Sequence, residues 1–380
     1  MKKKQKKPDT QSESTDQSNG GGKLKKFLKV LFTILKVIAV IFAIILCYII
    51  YVLIAFHRLG NSKLVIGGKT KEASAKEIYT VMSYNIGFGA YESDYSFFMD
   101  GGERSWAWSE ERLDKNLTSI AEFLEQTSAD LYLIQEVDYD STRSYRIDER
   151  VYLKAKLPDY AYTFAQNYDS PFLLYPFTQP HGASKSGLMT FSRYTITYSE
   201  RIELPIEKGL KKLVDLDRCY SKNHILLPDG KELVLYNIHL SAYTSDGTIA
   251  TEQLKLLLKD MEDEYSKGVH CVAGGDFNKD LLGDSSEYFG KADKDYTWAQ
   301  PIPEGLFDGY HVSLVAPLDK ENPVPSCRNA DSEYHEGQFV LTIDGFLVTD
   351  NMTVISSEVV DTEFEYSDHN PVIMKFSFKD

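Results

Sequence analysis

The sequence predicts one large α/β domain with a mostly antiparallel sheet core, preceded by a single N-terminal transmembrane helix. Three observations carry that expectation. Residues 37–56 run for twenty positions without a charge, between Lys36 and His57-Arg58. From residue 78 onward, short apolar strand-like runs mix with two amphipathic helical stretches, the pattern of a mixed domain. Five short polar segments recur in that region, with apolar runs ahead of them at 79–83, 131–134, 233–236 and 269–273.

Taken in order, residues 1–22 are poor in apolar side chains and rich in Lys, Gln, Ser, Asp and Gly, so they read as a disordered basic tail. Residues 23–58 read as a signal-anchor helix. At ~1.5 Å per residue its uncharged stretch spans roughly 30 Å, one hydrocarbon core. Val52-Leu53-Ile54-Ala55-Phe56 offers no small-residue cleavage pattern, which favours an uncleaved anchor. Ten basic residues lie between Lys2 and Lys36, so the positive-inside rule keeps the N-terminus cytoplasmic and places the rest outside. Residues 59–77 read as a polar stalk, and 78–380 as the catalytic domain.

Within that domain a helix is expected over 110–126, with Leu113, Leu117, Ile120, Ala121 and Leu124 on one face. A second is expected over 248–265, with Leu254, Leu257, Leu258 and Met261 apolar. Strands are expected at 186–191, 219–226, 233–239, 269–273, 342–348 and 372–378. Leu227-Pro228-Asp229-Gly230 has the turn residues to join the second of these to the third.

Charge is divided unevenly. Residues 1–59 hold eleven Lys and Arg against three acids, a formal +8. The remaining 31 basic and 53 acidic residues give the rest of the chain −22, which opposes non-specific binding of polyanions. Bound divalent cations can reverse that sign locally. Cys47 lies in the apolar segment, and Cys219, Cys271 and Cys327 leave an odd number downstream without paired metal-ligand spacing. A disulfide scaffold is excluded.

The polar segments supply complementary chemistry. Glu136, Asp276, Asp344 and Asp368 follow or sit in apolar runs, where a lone ionised acid is costly. Several acids at one point repel one another, and a hard cation such as Mg²⁺, Mn²⁺ or Ca²⁺ relieves that repulsion. Asn85 and Asn278 add neutral ligands or donors. His239 and His369 sit beside amide or acidic partners, and Asp344 is a candidate to orient His369 as a general acid or base. His57, His181 and His311 read as satisfied core residues.

Tyr84-Asn85, Gln135-Glu136, Asn237-Ile238-His239-Leu240, Gly275-Asp276-Phe277-Asn278, Ile343-Asp344 and Ser367-Asp368-His369-Asn370-Pro371-Val372 together resemble the endonuclease/exonuclease/phosphatase superfamily. The resemblance covers about residues 78–380 in order, with no catalytic position missing. It implies a four-layered α/β sandwich, two packed sheets with helices outside. It also implies Glu136 as principal Mg²⁺ ligand (Mn²⁺ being the alternative), helped by Asn85 and Asp368. Asp276 would orient or deprotonate the attacking water, with Asn278 beside it. His369, paired with Asp344, would stabilise the phosphoryl transition state or act as acid or base. His239 would hold a non-bridging oxygen or protonate the leaving group.

Three functions follow from different classes. The first is an anchored, exported phosphoesterase acting on a lipid headgroup or another small phosphodiester or monoester, without an obligate protein partner. The second is an extracellular nuclease on DNA or RNA, and the third a catalytically silent binding module. Where pancreatic deoxyribonuclease carries a DNA-contacting arginine two residues after its glutamate, this chain has Asp138, which disfavours that mode of binding DNA. Arg143, Arg146, Lys185 and the basic run Lys208-Gly209-Leu210-Lys211-Lys212 remain as phosphate contacts. The aromatic residues of segment 88–109, and those of 160–177, either wall a cleft or pack the loops onto the domain.

Overall fold

A computed structural model describes residues 19–71, 73–206, 216–242, 248–290 and 299–379. The basic run 208–212 and most of the expected N-terminal tail lie outside them. The chain divides into two compact units between Ile54 and Ala55. The first contains α1 (Asn19–Ala55), of which Gly22–Ala55 is long and apolar enough to cross a membrane.

The second unit opens with two short strands, β1 (Ser62–Lys63) and β2 (Gly67–Gly68), then β3 (Tyr79–Asn85), α2 (Glu110–Thr127), β4 (Leu131–Asp138) and α3 (Arg150–Lys156). It continues through β5 (Ala161–Asp169), β6 (Lys185–Ser192), β7 (Thr195–Glu203), β8 (Cys219–Leu226), β9 (Glu232–His239) and α4 (Thr248–Tyr265). The last part holds β10 (His270–Asp276), α5 (Ser286–Phe289), β11 (Val312–Val315), β12 (Cys327–Arg328), β13 (Val340–Leu341), β14 (Asp344–Thr349), β15 (Met352–Val359) and β16 (Val372–Phe378).

Two seven-stranded sheets result, ordered β1-β7-β8-β9-β10-β14-β11 and β15-β16-β3-β4-β6-β5-β2. Each has one parallel pair at its middle, β9 with β10 and β3 with β4, and is otherwise antiparallel. A parallel pair needs a crossover, and α2 and α4 are those crossovers. Side chains alternate accordingly. Val81, Leu131 and Leu133 meet Leu233, Leu235, Val272 and Phe346 between the sheets. Met82, Tyr84, Tyr132 and Ile134 point the other way, onto Leu113, Leu117, Ile120 and Leu124 of α2. Val234, Tyr236, Cys271 and Ala273 do the same against Leu254, Leu257, Leu258 and Met261 of α4. The layers are therefore helix, sheet, sheet, helix.

Local chemistry agrees with this arrangement. Ser109 caps α2 by accepting from the Arg112 N–H at 3.2 Å, with Glu110 and Glu111 in the positive first turn. Leu227-Pro228-Asp229-Gly230 turns β8 into β9, with the Gly230 N–H donating to the Leu227 carbonyl at 3.0 Å. Gly275 has φ +151°, and a Cβ there would lie 2.0 Å from the Ile238 carbonyl oxygen. Only glycine lets β10 lie so close to β9.

Three expectations need correction. The segment 59–77 is no free stalk: Ser62 and Lys63 pair with Arg201 and Glu200, and Gly67 and Gly68 with Tyr162 and Ala161. Arg201 Nη1 donates to the carbonyls of Leu59 and Gly60 at 2.6 and 3.0 Å. The segment thus adds an edge strand to each sheet, because its backbone groups find partners there. His57 and His311 are exposed rather than core, pairing with Asp169 and Glu262 at 3.1 and 2.8 Å. β5, β7 and β15 are strands beyond those expected; the outward face of β7 is largely polar, as in Thr195–Glu203, and dilutes the apolar signal.

Phe346 is 0 % exposed, and a Cβ on the facing Gly274 would lie 2.6 Å from its ring. Phe346→Ala is expected to lower the unfolding free energy by about 3–5 kcal/mol. Urea denaturation tests this: an unchanged midpoint would show that Phe346 does not hold the sheets together.

Candidate active site

The parallel pairs end side by side, and the cleft opens at their C-terminal ends. It encloses about 310 Å³ and takes its walls from both sheets and from the segments after β3, β5 and β12. Beneath it the apolar layer gives way to amides. Gln135 Nε2 donates to Asn237 Oδ1 at 2.8 Å, and Asn237 Nδ2 donates back across the sheets to the Ile134 and Met189 carbonyls at 3.2 and 3.1 Å.

Asn85, the last residue of β3, sits above this bridge. Its Nδ2 lies 3.2 Å from Glu136 Oε1, 3.1 Å from Asp276 Oδ2 and 3.4 Å from His369 Nε2. Its Oδ1 accepts the Gly87 N–H at 3.1 Å. Glu136 reaches the same point by a bulge. The β4–β6 register slips between Ile134 and Val137, and Glu136 has φ +54°, a left-handed conformation that side chains seldom adopt. Without that slip, alternation would turn its carboxylate away from the Asn85 amide.

Asp276 ends β10 on the opposite sheet. Its Oδ1 accepts the Asn278 N–H at 2.8 Å, closing a turn in which Asn278 adopts φ +48° and donates from Nδ2 to the Leu240 carbonyl at 2.8 Å. Asp276 Oδ2 lies 3.6 Å from His239 Nε2 and 3.8 Å from His369 Nε2. His369 Nδ1 donates to Asp344 Oδ2 at 2.8 Å, and the same oxygen accepts from Ser326 Oγ at 2.7 Å. Asp368 follows from its neighbour's latch, in which Ser367 Oγ donates to the Asn85 carbonyl at 2.8 Å. All eight residues expected to form the site therefore border this cleft or bond directly to a residue that does.

The charges divide by environment. Burial opposes a charge on His369, but the Asp344 carboxylate outweighs it and holds the imidazolium well above the usual histidine range. Burial, with Arg218 and His369 nearby, holds His239 well below that range and therefore neutral. Burial raises Asp276 to about 7 and Asp368 to about 6. Asp344 Oδ1 is buried without a partner. Glu136, Asp276 and Asp368 meet in this pocket with Asp344 behind His369, and Asp276 and Asp368 are driven toward their neutral forms. A hard cation placed among them would relieve their mutual repulsion. Ligand atoms of Asp276, Asp344 and His369 lie within 4.8 Å of one another, but His369 Nδ1 and Asp344 Oδ2 already engage each other. The oxygens of Glu136 and Asp368 are the better match to a hard cation.

The sequence reading misplaced some residues at the cleft and missed others. Asp138 does not face substrate: it is 0 % exposed and holds the Arg143 guanidinium through Nε and Nη2 at 3.0 and 2.9 Å. Arg143 instead lines the cleft, stacked 3.8 Å from the Phe88 ring centre. The acid therefore positions a cation at the cleft wall. Arg146 and Lys185 pair with Asp140 outside the cleft lining. Arg218 also lines it; the turn at 227–230 fixes the β8–β9 register, so counting back from Leu226↔Glu232 would have placed Arg218 opposite Leu240.

Nothing in the spacing signals Cys327, whose Sγ lies 3.7 Å from His369 Nε2, or Arg328, held by the carbonyls of Glu92 and Tyr95 at 3.1 Å each. His181, read as a core residue, is buried but walls the cleft against Phe97. Segment 88–109 does both things expected of it: Phe88 and Tyr95 pack in the core, while Tyr91, Phe97 and Met99 line the cleft. In the second stretch Tyr168 also lines it, whereas Tyr175 and Phe177 are exposed.

A family model described as "Endonuclease/Exonuclease/phosphatase family" matches residues 82–369. No curated protein matches the chain. Among solved structures, an endonuclease/exonuclease/phosphatase from Beutenbergia cavernae is similar at TM-score 0.54 and 16% identity, over 80% of this chain and 72% of its own. A family protein from Leptotrichia buccalis is similar at TM-score 0.51 and 14% identity, over 79% and 100%. ANGEL2, a 2′,3′-cyclic phosphatase, is similar at TM-score 0.52 and 17% identity, over 83% and 98%. These likenesses establish the fold.

Removing the Asp138 carboxylate would strand a buried guanidinium. Asp138→Ala is expected to cost about 3–5 kcal/mol of stability. Chemical denaturation checks it, and a loss below about 1 kcal/mol would mean that Arg143 finds water instead.

Proposed function

The chain belongs to the endonuclease/exonuclease/phosphatase family, and on that premise we propose that it is a membrane-anchored, exported, Mg²⁺-dependent phosphoesterase. Its substrate would be a small phosphoester or a lipid headgroup, hydrolysed by in-line attack of water. One observation carries this reading: the Asp344–His369 pair at 2.8 Å faces Asp276 across a junction whose Asn85 amide also touches Glu136.

Glu136 and Asp368 would hold the cation, and Asn85 would join them after a half-turn of its amide, which now presents nitrogen. Bound there, Mg²⁺ supplies positive charge against the negative charge that develops on the phosphoryl oxygens. Asp276, raised to about 7, has the basicity to draw a proton from water near neutral pH, and the Asn278 N–H fixes its carboxylate. The His369 imidazolium, held charged by Asp344, offers Nε2 to a phosphoryl oxygen. Neutral His239 stands on the far side of Asp276 as a hydrogen-bond partner for the ester.

Small size and apolar walls support a small substrate: the cavity is about 310 Å³, with Tyr91, Phe97 and Met99 on one side. A nuclease is the second reading, favoured by Arg143 in the cleft and opposed by the −22 formal charge of residues 60–380.

The full chain in detergent is expected to release phosphate or alcohol from small phosphoesters or lipid headgroups only with Mg²⁺ or Mn²⁺. EDTA removes the activity and added Mg²⁺ restores it. Asp276→Asn lowers kcat by about 10²–10⁴-fold. Cleavage of supercoiled DNA alone would select the nuclease, and metal-independent turnover would overturn the mechanism.

Anchoring rests on Gly22–Ala55 and on the basic residues before it. The chain should resist alkaline carbonate extraction from membranes, and a reporter that matures only outside the cytoplasm should be active when fused after Asp380. Release into the soluble fraction would remove the anchor, and a silent reporter the orientation.

A further inference from the structure

Beyond His239 the cleft continues into a second group of polar side chains to which the hydrolytic step gives no task. Asn167, Ser186 and Arg218 line it at 1, 2 and 4 % exposure. Among the described residues, Asn167 Nδ2, Ser186 Oγ and Arg218 Nε are all buried without a hydrogen-bond partner. A buried polar atom left unpaired costs about 1–3 kcal/mol, so three bordering one cavity are a liability unless a ligand satisfies them.

The backbone is arranged to gather these atoms. Asn167 falls where the β5–β6 register slips between Gln166 and Tyr168, so a bulge positions it. Ser186 is the neighbour of Tyr168 on one side and of Asp138 on the other. Arg218 comes from the opposite sheet. The adjoining Cys219 Sγ lies 3.7 Å from the Gln166 carbonyl, which brings the start of β8 against the β5 bulge. Arg218 Nη1 contacts the His239 carbonyl at 3.4 Å, tying this group to the hydrolytic site. Arg143 completes the wall; Asp138 takes its Nε and Nη2, and Nη1 is not among those bonds.

We propose that Asn167, Ser186, Arg218 and Arg143 form a subsite for a second phosphoryl group, so that the preferred substrate is a small molecule or lipid headgroup bearing two phosphates. This rests on the phosphoesterase reading and narrows it. An amide N–H, a hydroxyl and two guanidinium groups are donors suited to phosphate oxygens, and the guanidinium fork fits two of them at once. A neutral group at this position would leave Arg218 Nε buried without an acceptor, so the subsite also discriminates.

The test is displacement calorimetry on the full chain in detergent, with adenosine bisphosphate against adenosine monophosphate. A parallel arm sets vesicles containing phosphatidylinositol phosphate against vesicles containing phosphatidylinositol. In at least one arm the doubly phosphorylated ligand is expected to bind about tenfold tighter or more, equivalent to about 1.4 kcal/mol. The arm that shows it identifies a soluble or a lipid source. Arg218→Gln and Asn167→Leu should each collapse that ratio toward one while the monophosphate affinity stays within about twofold, and Arg218→Lys should restore part of it. Ser186→Ala, which removes one hydroxyl with little demand on packing, should lower the ratio without lowering the unfolding midpoint.

Ratios near one in both arms for the unaltered chain, or an equal loss for both ligands in the variants, would overturn the subsite. Asp276→Asn separates the two ideas: it should lower kcat by about 10²–10⁴-fold and keep the ratio. Full turnover in that variant would overturn the catalytic reading and leave the subsite standing.

Discussion

The amide bridge between Gln135 and Asn237 is the constraint on which the site depends. Each residue lies in the C-terminal part of a strand of one parallel pair, and the 2.8 Å bond joins the two sheets where the apolar layer ends. A primary amide can donate and accept together, so two of them satisfy each other and the backbone carbonyls around them. The apolar layer resists water but fixes register only by shape; the amides add a directional bond that a slip by one residue would break. Asn85 and Glu136 on one sheet, and His239 and Asp276 on the other, inherit their separation from that bond.

Above the bridge the fold departs from regular structure in several places. Glu136 and Asn278 adopt positive φ without being glycine, and bulges place Glu136 and Asn167. Such conformations cost on the order of 1–3 kcal/mol each and persist when their surroundings over-determine them. Here the surroundings are visible: Asp276 and the Leu240 carbonyl hold Asn278, and Asn85 holds Glu136. The departures from regularity and the chemistry coincide because an ordinary strand would turn half of these side chains away from the cleft.

Buried charge is handled in two ways. Asp138 with Arg143, and Asp344 with His369, are closed pairs in which a carboxylate sits against the cation and keeps it charged. Asp276 and Asp368 are open, pushed up by burial to about 7 and about 6. Closed pairs fix geometry, and open groups respond to whatever enters the cleft. Arg218 belongs to the open class: at the cleft wall its Nε is buried without a hydrogen-bond partner among the described residues.

Much of this was legible in the sequence. Periodicity located α2 and α4 within a residue of their ends, because each carries a single apolar stripe against one sheet. Asn85, Glu136, His239, Asp276, Asn278, Asp344, Asp368 and His369 were legible because buried strands that end in acids, amides and imidazoles are chemically costly unless those groups converge. Tertiary structure alone decided which way those side chains point. No pattern in Leu131–Asp138 announces a bulge, so it could not be read that Glu136 faces the cleft while Asp138 turns inward to grip Arg143. The pairing of residues 62–68 with both sheets was equally hidden, since a two-residue edge strand has no period to detect. Sequence fixes which groups must find partners, because burial and periodicity are local properties; which partner each one finds depends on register and bulges, set by contacts between residues distant in the chain.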